Sequence, residues 1–241
     1  MQKMPTLNLP TRALEIAVVS DVHIGSPSDH KFDLLCSFCE QVHCKTIVLN
    51  GDIFEFFIGD RVYFYQRYKK LFDVLENRGK TGTRVIFNQG NHEFFLHELK
   101  KFCPTIECVV SDFKIGETFF THGDDVQGDR SYELYKKVSR SLAVRWIARL
   151  LLPSRFLDYL CQHIAKLSRK KDQYRQFDES KILDNIKKYG HNHHENKIVV
   201  GHFHFPFKEK GAIEVFSVRD WPNEPNFLGL SANGWEYFKL L

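Results

Sequence analysis

Residues 15–23 read EIAVVSDVH, a short apolar run rich in β-branched residues that stops at two metal-capable side chains, Asp21 and His23. Runs of this length bounded by Gly, Asp or Asn read as buried strands. The pattern recurs four times. Thr46–Asn50 (TIVLN) ends at Gly51-Asp52, and Arg84–Asn88 (RVIFN) ends at Gln89-Gly90-Asn91. Thr118–Thr121 ends at His122-Gly123-Asp124, and Lys197–Val200 (KIVV) ends at Gly201-His202. Helical patterns lie between the first three, at Asp29–His43 and Arg61–Arg78. Strands alternating with helices predict parallel βαβ units and an α/β fold. Ligands in such sheets gather beyond the carboxyl ends of the strands, where each of these runs places a polar residue.

The later chain has another character. Asp129–Tyr189 holds no clear strand and reads as several helices, after which short strands return at Ala212–Val218, Phe227–Ser231 and Trp235–Leu240. The parse is one domain over residues 1–241 with a helical cap insertion at about 129–190. In Ser154–Lys170, Phe156, Leu157, Leu160, Ile164 and Leu167 fall within about 100° on a helical wheel, with Arg155, Lys166, Arg169 and Lys170 off that stripe. A basic amphipathic helix lies on an anionic membrane surface or shelters a lipid, or simply packs on its neighbours.

Bulk composition sets limits. Hydrophobic residues make up 43% and charged residues 27% of 241 positions, the balance of a globular protein. A net charge of +4 is too mild to argue for nucleic acid, and no such partner is expected. The positive charge is local, because between Lys136 and Lys171 the only acid is Asp158. No run approaches the ~20 apolar residues of a membrane span, and Pro5 and Pro10 interrupt the segment where a secretory signal would stand. The six cysteines are therefore expected in a reducing, cytoplasmic compartment. Cys36 and Cys39 fall in a helical pattern and are read as small packing residues, not as a zinc or redox pair. His191, His193 and His194 are read as a solvated loop.

Five motifs thus stand in order: Asp21-Val-His23, Gly51-Asp52, Gly90-Asn91-His92-Glu93, His122-Gly123 and Gly201-His202-Phe-His204. Glycine or a tight turn beside each lets the backbone bend sharply just past a strand, so that the neighbouring side chain can point into a shared site. In this order and context they resemble the calcineurin-like metallophosphoesterases, over residues 21–204. The resemblance implies two packed sheets flanked by helices. It also implies two metals: Asp21, His23 and His204 on the first, Asn91, His122 and His202 on the second, and Asp52 bridging both. Imidazole, carboxylate and amide donors without thiolate suit Mn, Fe or Zn, and the family points to Mn. His92 would act on the leaving oxygen, in a role its titration range suits. Asp124 and Glu93 would orient imidazoles from behind.

The stretch Gly51–Asp60 (GDIFEFFIGD), together with His122-Gly-Asp-Asp, Asp129-Arg-Ser-Tyr132 and Asn233-Gly-Trp235, resembles the UDP-2,3-diacylglucosamine diphosphatases of the lipid A pathway. That implies a nucleotide-linked glycolipid substrate cleaved to UMP and an acylated sugar 1-phosphate. It also implies peripheral contact with the inner membrane, and substrate contacts at Asp129, Arg130, Arg149 and Arg155. The sequence departs from that group at His92, where Arg is usual. His92 keeps a second reading open, a soluble phosphodiesterase or nucleotide phosphatase. A metal-free scaffold should have lost ligands, and all seven are present.

Overall fold

The computed structural model describes residues 7–126, 153–159, 163, 178–204, 208–218, 221 and 223–241. Two sheets carry the fold. The first has the order β13-β12-β1-β2-β4-β6, from β1 (Leu14–Val19), β2 (Cys44–Asn50), β4 (Arg84–Asn88), β6 (Ile106–Val109), β12 (Asn226–Ser231) and β13 (Gly234–Lys239). The second has the order β10-β11-β9-β8-β7, from β7 (Phe113–Ile115), β8 (Thr118–Thr121), β9 (Lys197–Val200), β10 (Lys208–Glu209) and β11 (Glu214–Ser217). β3 (Phe57–Ile58) and β5 (Glu93–Phe94) form a small parallel pair. The expected parallel core is present: β1, β2, β4 and β6 run together, as do β8, β9 and β11. The outer strands β12, β13, β7 and β10 are antiparallel to their neighbours.

Period-two alternation sorts the second sheet's side chains. Phe120, Val199 and Phe216 join the large core shared with the first sheet, where Phe120 and Phe216 lie 6.1 and 6.0 Å from the Trp235 ring. Their neighbours Phe119, Ile198 and Val215 point the other way, into a smaller cluster with Ile186 of α4 (Glu179–Asn192). The opposite face of the first sheet is covered by α1 (His30–Gln41) and α3 (Lys69–Lys80), with Phe38 of α1 4.9 Å from Phe227 of β12. Each fully buried Phe or Leu here contributes roughly 1.5–3 kcal/mol.

Helix limits follow local chemistry. The Asp29 side chain accepts from Lys31 N at 3.0 Å and caps α1, one residue inside the expected start. The single helix expected at Arg61–Arg78 is two, α2 (Val62–Arg67) and α3, because Tyr68 leaves helical geometry at ψ 24° with its ring fully buried. Cys36 and Cys39 are buried free thiols of α1. His191 lies in the last turn of α4 instead of in a loop, and the exposed His193 ring rests on Tyr189 at 4.2 Å. Among the described residues no helix is long and apolar enough to cross a membrane.

Candidate metal centre

Beyond β1 and β2 the two chains keep running side by side. Asp21 N donates to Gly51 O at 3.0 Å, His23 N to Asp52 O at 3.0 Å and Ile24 N to Ile53 O at 2.9 Å. The metal-capable side chains are thereby carried onto one rim. The sharp turns fall on these residues themselves, and not only on the glycines beside them. Asp21, His23, Asp52, His202 and His204 all have φ between +51° and +68°. Each such backbone costs on the order of 1–3 kcal/mol and persists only where neighbours enforce it. The enforcement is visible at Asp21, whose carboxylate accepts the His202 N–H at 3.0 and 2.9 Å and the Ser20 hydroxyl at 2.5 Å. Glycine is needed at position 90 for room: a Cβ there would lie 2.3 Å from Asp52 Oδ1 and 2.4 Å from Asp52 N.

Among the described residues three groups of donors result, each with its ligand atoms within 4.8 Å of one another: Asp21, His23 and His204; Asp52, His122 and His202; and His23, Glu55 and His92. His122 Nε2 stands 3.3 Å from Asp52 Oδ2 and 3.1 Å from Asn91 Oδ1, which ties Asn91 to the second group. His23 stacks on His204 at 5.4 Å, and His122 meets His202 edge-on at 5.3 Å. All seven residues expected at the cage are gathered here, from loops of both sheets. The donor chemistry, imidazole nitrogen and carboxylate or amide oxygen with no thiolate, fits borderline divalent metals.

Some residues that shape this rim escaped the sequence reading. Asn50 is fully buried. Its Nδ2 donates to Thr121 O at 2.8 Å, its Oδ1 accepts from Asn88 Nδ2 at 3.0 Å, and its carbonyl bonds His122 Nδ1 at 3.0 Å. It therefore locks the two sheets together and fixes His122's tautomer, since a carbonyl leaves Nδ1 as the N–H. Glu93 does not orient an imidazole as expected. Its buried carboxylate accepts the N–H groups of Asp52 (2.9 Å), Phe54 (3.1 Å) and Gly90 (2.9 Å), binding two loops to each other. Glu55 was visible within GDIFE, but nothing in a single sequence separates its buried carboxylate from a surface one.

A family model described as calcineurin-like phosphoesterase matches residues 14–219, most of the chain. The chain belongs to the calcineurin-like phosphoesterase family. Such phosphoesterases use divalent metals, and this one is a phosphoester hydrolase. It is 23% identical to a protein named UDP-2,3-diacylglucosamine hydrolase from Pseudomonas entomophila, covering 92% of this chain and 97% of that one. A protein of the same name from Ralstonia nicotianae is 29% identical over 115 residues, and there the match spans 45% of this chain and 41% of the relative's own length. A solved archaeal phosphodiesterase superposes with a TM-score of 0.43 at 13% identity, over 94% of this chain and 99% of that one.

The electrostatics of the phosphoesterase's rim are mutual. Burial works to raise the Asp52 carboxyl, but His122, His92 and His23 outweigh it and hold it well below the usual range. Burial likewise works against charge on His122, and Asp52, Asp21 and Asp124 reverse that. His202 is pushed down to about 4 by burial and by His122, which suits a neutral, metal-ligating ring. His92 Nδ1 lies 2.8 Å from the Glu55 carbonyl, so Nδ1 carries the hydrogen and Nε2 faces the rim, 3.9 Å from Asp52 Oδ2.

Of the residues expected to contact substrate, Asp129, Arg130 and Arg149 lie outside the described residues. Arg155 is exposed on helical turns at 154–159. On the expected apolar stripe, Leu157 is buried in the main core, whereas Phe156 is 52% exposed. The two do not share an environment. Leu160, Ile164 and Leu167 lie outside the described residues.

Proposed function

We propose that this phosphoesterase hydrolyses the pyrophosphate of a nucleotide-linked acylated sugar of the UDP-2,3-diacylglucosamine type, giving UMP and the acylated sugar 1-phosphate. The observation that carries the hydrolytic half is the gathering of donor groups from loops of two different sheets: Asp52 with His122 and His202, and Asp21 with His23 and His204. Asp21, His23 and His204 would hold one divalent metal, and Asn91, His122 and His202 the other. Asp52 would be shared, and Mn is the metal proposed. Bound metals supply Lewis acidity at phosphorus and lower the pKa of water.

The remaining work falls to side chains. His92 is oriented by the Glu55 carbonyl at Nδ1, leaving Nε2 to hold or give a proton at the leaving oxygen. Asn50 and Glu93 hold the loops so that the donors need not reorganise on binding. For the substrate, the name shared by the two relatives, UDP-2,3-diacylglucosamine hydrolase, supports the nucleotide-linked lipid. A helical cap at about 129–190, with Asp129, Arg130, Arg149 and Arg155 on the substrate and its basic face on an anionic membrane, belongs to the same reading.

The test is release of UMP from UDP-2,3-diacylglucosamine by Mn-loaded protein, beside hydrolysis of bis(p-nitrophenyl) phosphate. UMP release at much the higher kcat/KM is expected. Turnover of the small diester alone would remove the lipid substrate and favour a soluble phosphodiesterase, the reading that His92 supports.

A further inference from the structure

The 154–159 turns meet the body of the molecule through a polar ring. Asp158, 4% exposed, stands in a strongly basic stretch of sequence. Its carboxylate lies 2.9 Å from Arg67 Nη1 and accepts from the Tyr63 hydroxyl at 3.0 Å, while Arg67 Nη1 also donates to that hydroxyl at 3.1 Å. The other arm of the same guanidinium, Nη2, donates to the Gly25 carbonyl at 3.1 Å, two residues past His23. Arg67 lies 5.6 Å from the ring of the buried Tyr68, whose hydroxyl bonds Ile24 O at 3.4 Å. Arg61 Nη1 adds a bond to Ser154 Oγ at 3.1 Å.

One rigid fork therefore grips two distant pieces of chain: the loop that bears Asp21 and His23, and the 154–159 turns. Lysine could not do this, because it offers a point charge without the fixed two-armed geometry. The ring of charge-assisted bonds is mostly buried, with side-chain exposures of 19% for Arg67 and 6% for Asp158, so it is stronger than a surface pair. α2, which bears Arg67, and the 154–159 turns carry exposed apolar side chains, Val62 at 48% on the first and Phe156 at 52% and Tyr159 at 69% on the second.

We propose that Arg67 and Asp158 are a positioning pair that keeps these apolar side chains in register with the Asp21–His23 loop, and so set the affinity for the acylated part of the substrate. The substrate half of this rests on the function proposed above; the register itself does not.

Hydrogen exchange of the full chain and of Asp158→Asn tests the register. Faster exchange is expected both at 154–159 and at residues 22–26, with β1 and β2 protected as before. A change confined to 154–159 overturns the coupling. Kinetics test the consequence. For UDP-2,3-diacylglucosamine, Asp158→Asn and Arg67→Lys should each raise KM about tenfold while changing kcat far less, and the double variant should be little worse than either single. Asp158→Glu should recover part of the loss. An equal fall of kcat on the lipid and on bis(p-nitrophenyl) phosphate would show general damage and overturn the assignment. If the unaltered protein leaves the lipid intact, the proposed substrate fails, and the exchange result still decides the register.

Discussion

His92 touches Asp52 twice: its main-chain N–H donates to Oδ1 at 2.9 Å, and its imidazole Nε2 stands 3.9 Å from Oδ2. The first contact is made by backbone and is independent of the side chain. His92 thus helps to hold Asp52 in place whatever its side chain does, and the imidazole is available for chemistry.

Removing that imidazole should therefore separate catalysis from metal binding. His92→Ala is expected to slow turnover by roughly 10²–10⁴-fold, the range of a lost general acid, with metal content near that of the parent. Asp52→Ala should lose both activity and metal. Metal analysis beside turnover checks this, and equal metal loss in the two variants would defeat the separation.

Glu93→Gln should weaken the centre without touching a metal donor. One amide oxygen cannot accept all three N–H groups, and the amide NH₂ would face a donor. Metal affinity should fall about 10–100-fold, as for other groups that hold ligands from behind. Stability should drop by about 1–3 kcal/mol for the unpaired buried N–H. Calorimetric Mn titration and denaturant melts measure the two separately; parental Mn affinity in a folded variant would contradict this role.

Asn50→Ala should destabilise the protein by about 1–3 kcal/mol, because Thr121 O and Asn88 Nδ2 lose their buried partner. The junction between the sheets would loosen, so lowered Tm should come with loss of activity. A Tm equal to that of the parent would show that water replaces the amide.

Alkaline pH should destabilise the fold through its thiols. Burial pushes Cys36, Cys103 and Cys108 up to about 12 and Cys44 up to about 11, from an ordinary 9.0. The unfolded chain then ionises first. The stabilisation is complete below about 9 and is lost as pH rises towards about 12. Equilibrium unfolding between pH 8 and 11 should show the fall, and replacing Cys36 and Cys103 with Ala should flatten it.

The strands bearing the five motifs were legible because apolar runs ending in Gly, Asp or Asn are locally encoded, and β1, β2, β4, β8 and β9 stand where the runs predict them. The motif side chains were legible as a set for the same reason. β6, β7 and β10 were missed, being short strands at or near sheet edges with weak apolar patterns. The break at Tyr68 was hidden because its cause is a tertiary pocket beside Ile24 and Phe54. Glu93 and Asn50 showed their identity but not their work, since both act on backbone groups whose proximity only the assembled fold creates.

The bonds from His202 N to Asp21 join residues 181 positions apart. Closing so long a loop carries a chain-entropy cost that no local preference offsets. Asp21 emerges early during synthesis, yet its carboxylate gains this partner only after the second sheet has docked. A chain truncated before Gly201 would keep the sequence of β1, β2 and β4, but Asp21 would lack the His202 N–H and the rim would lack the His202 and His204 rings. The centre thus reports that folding is complete, and an interrupted chain lacks the full donor set.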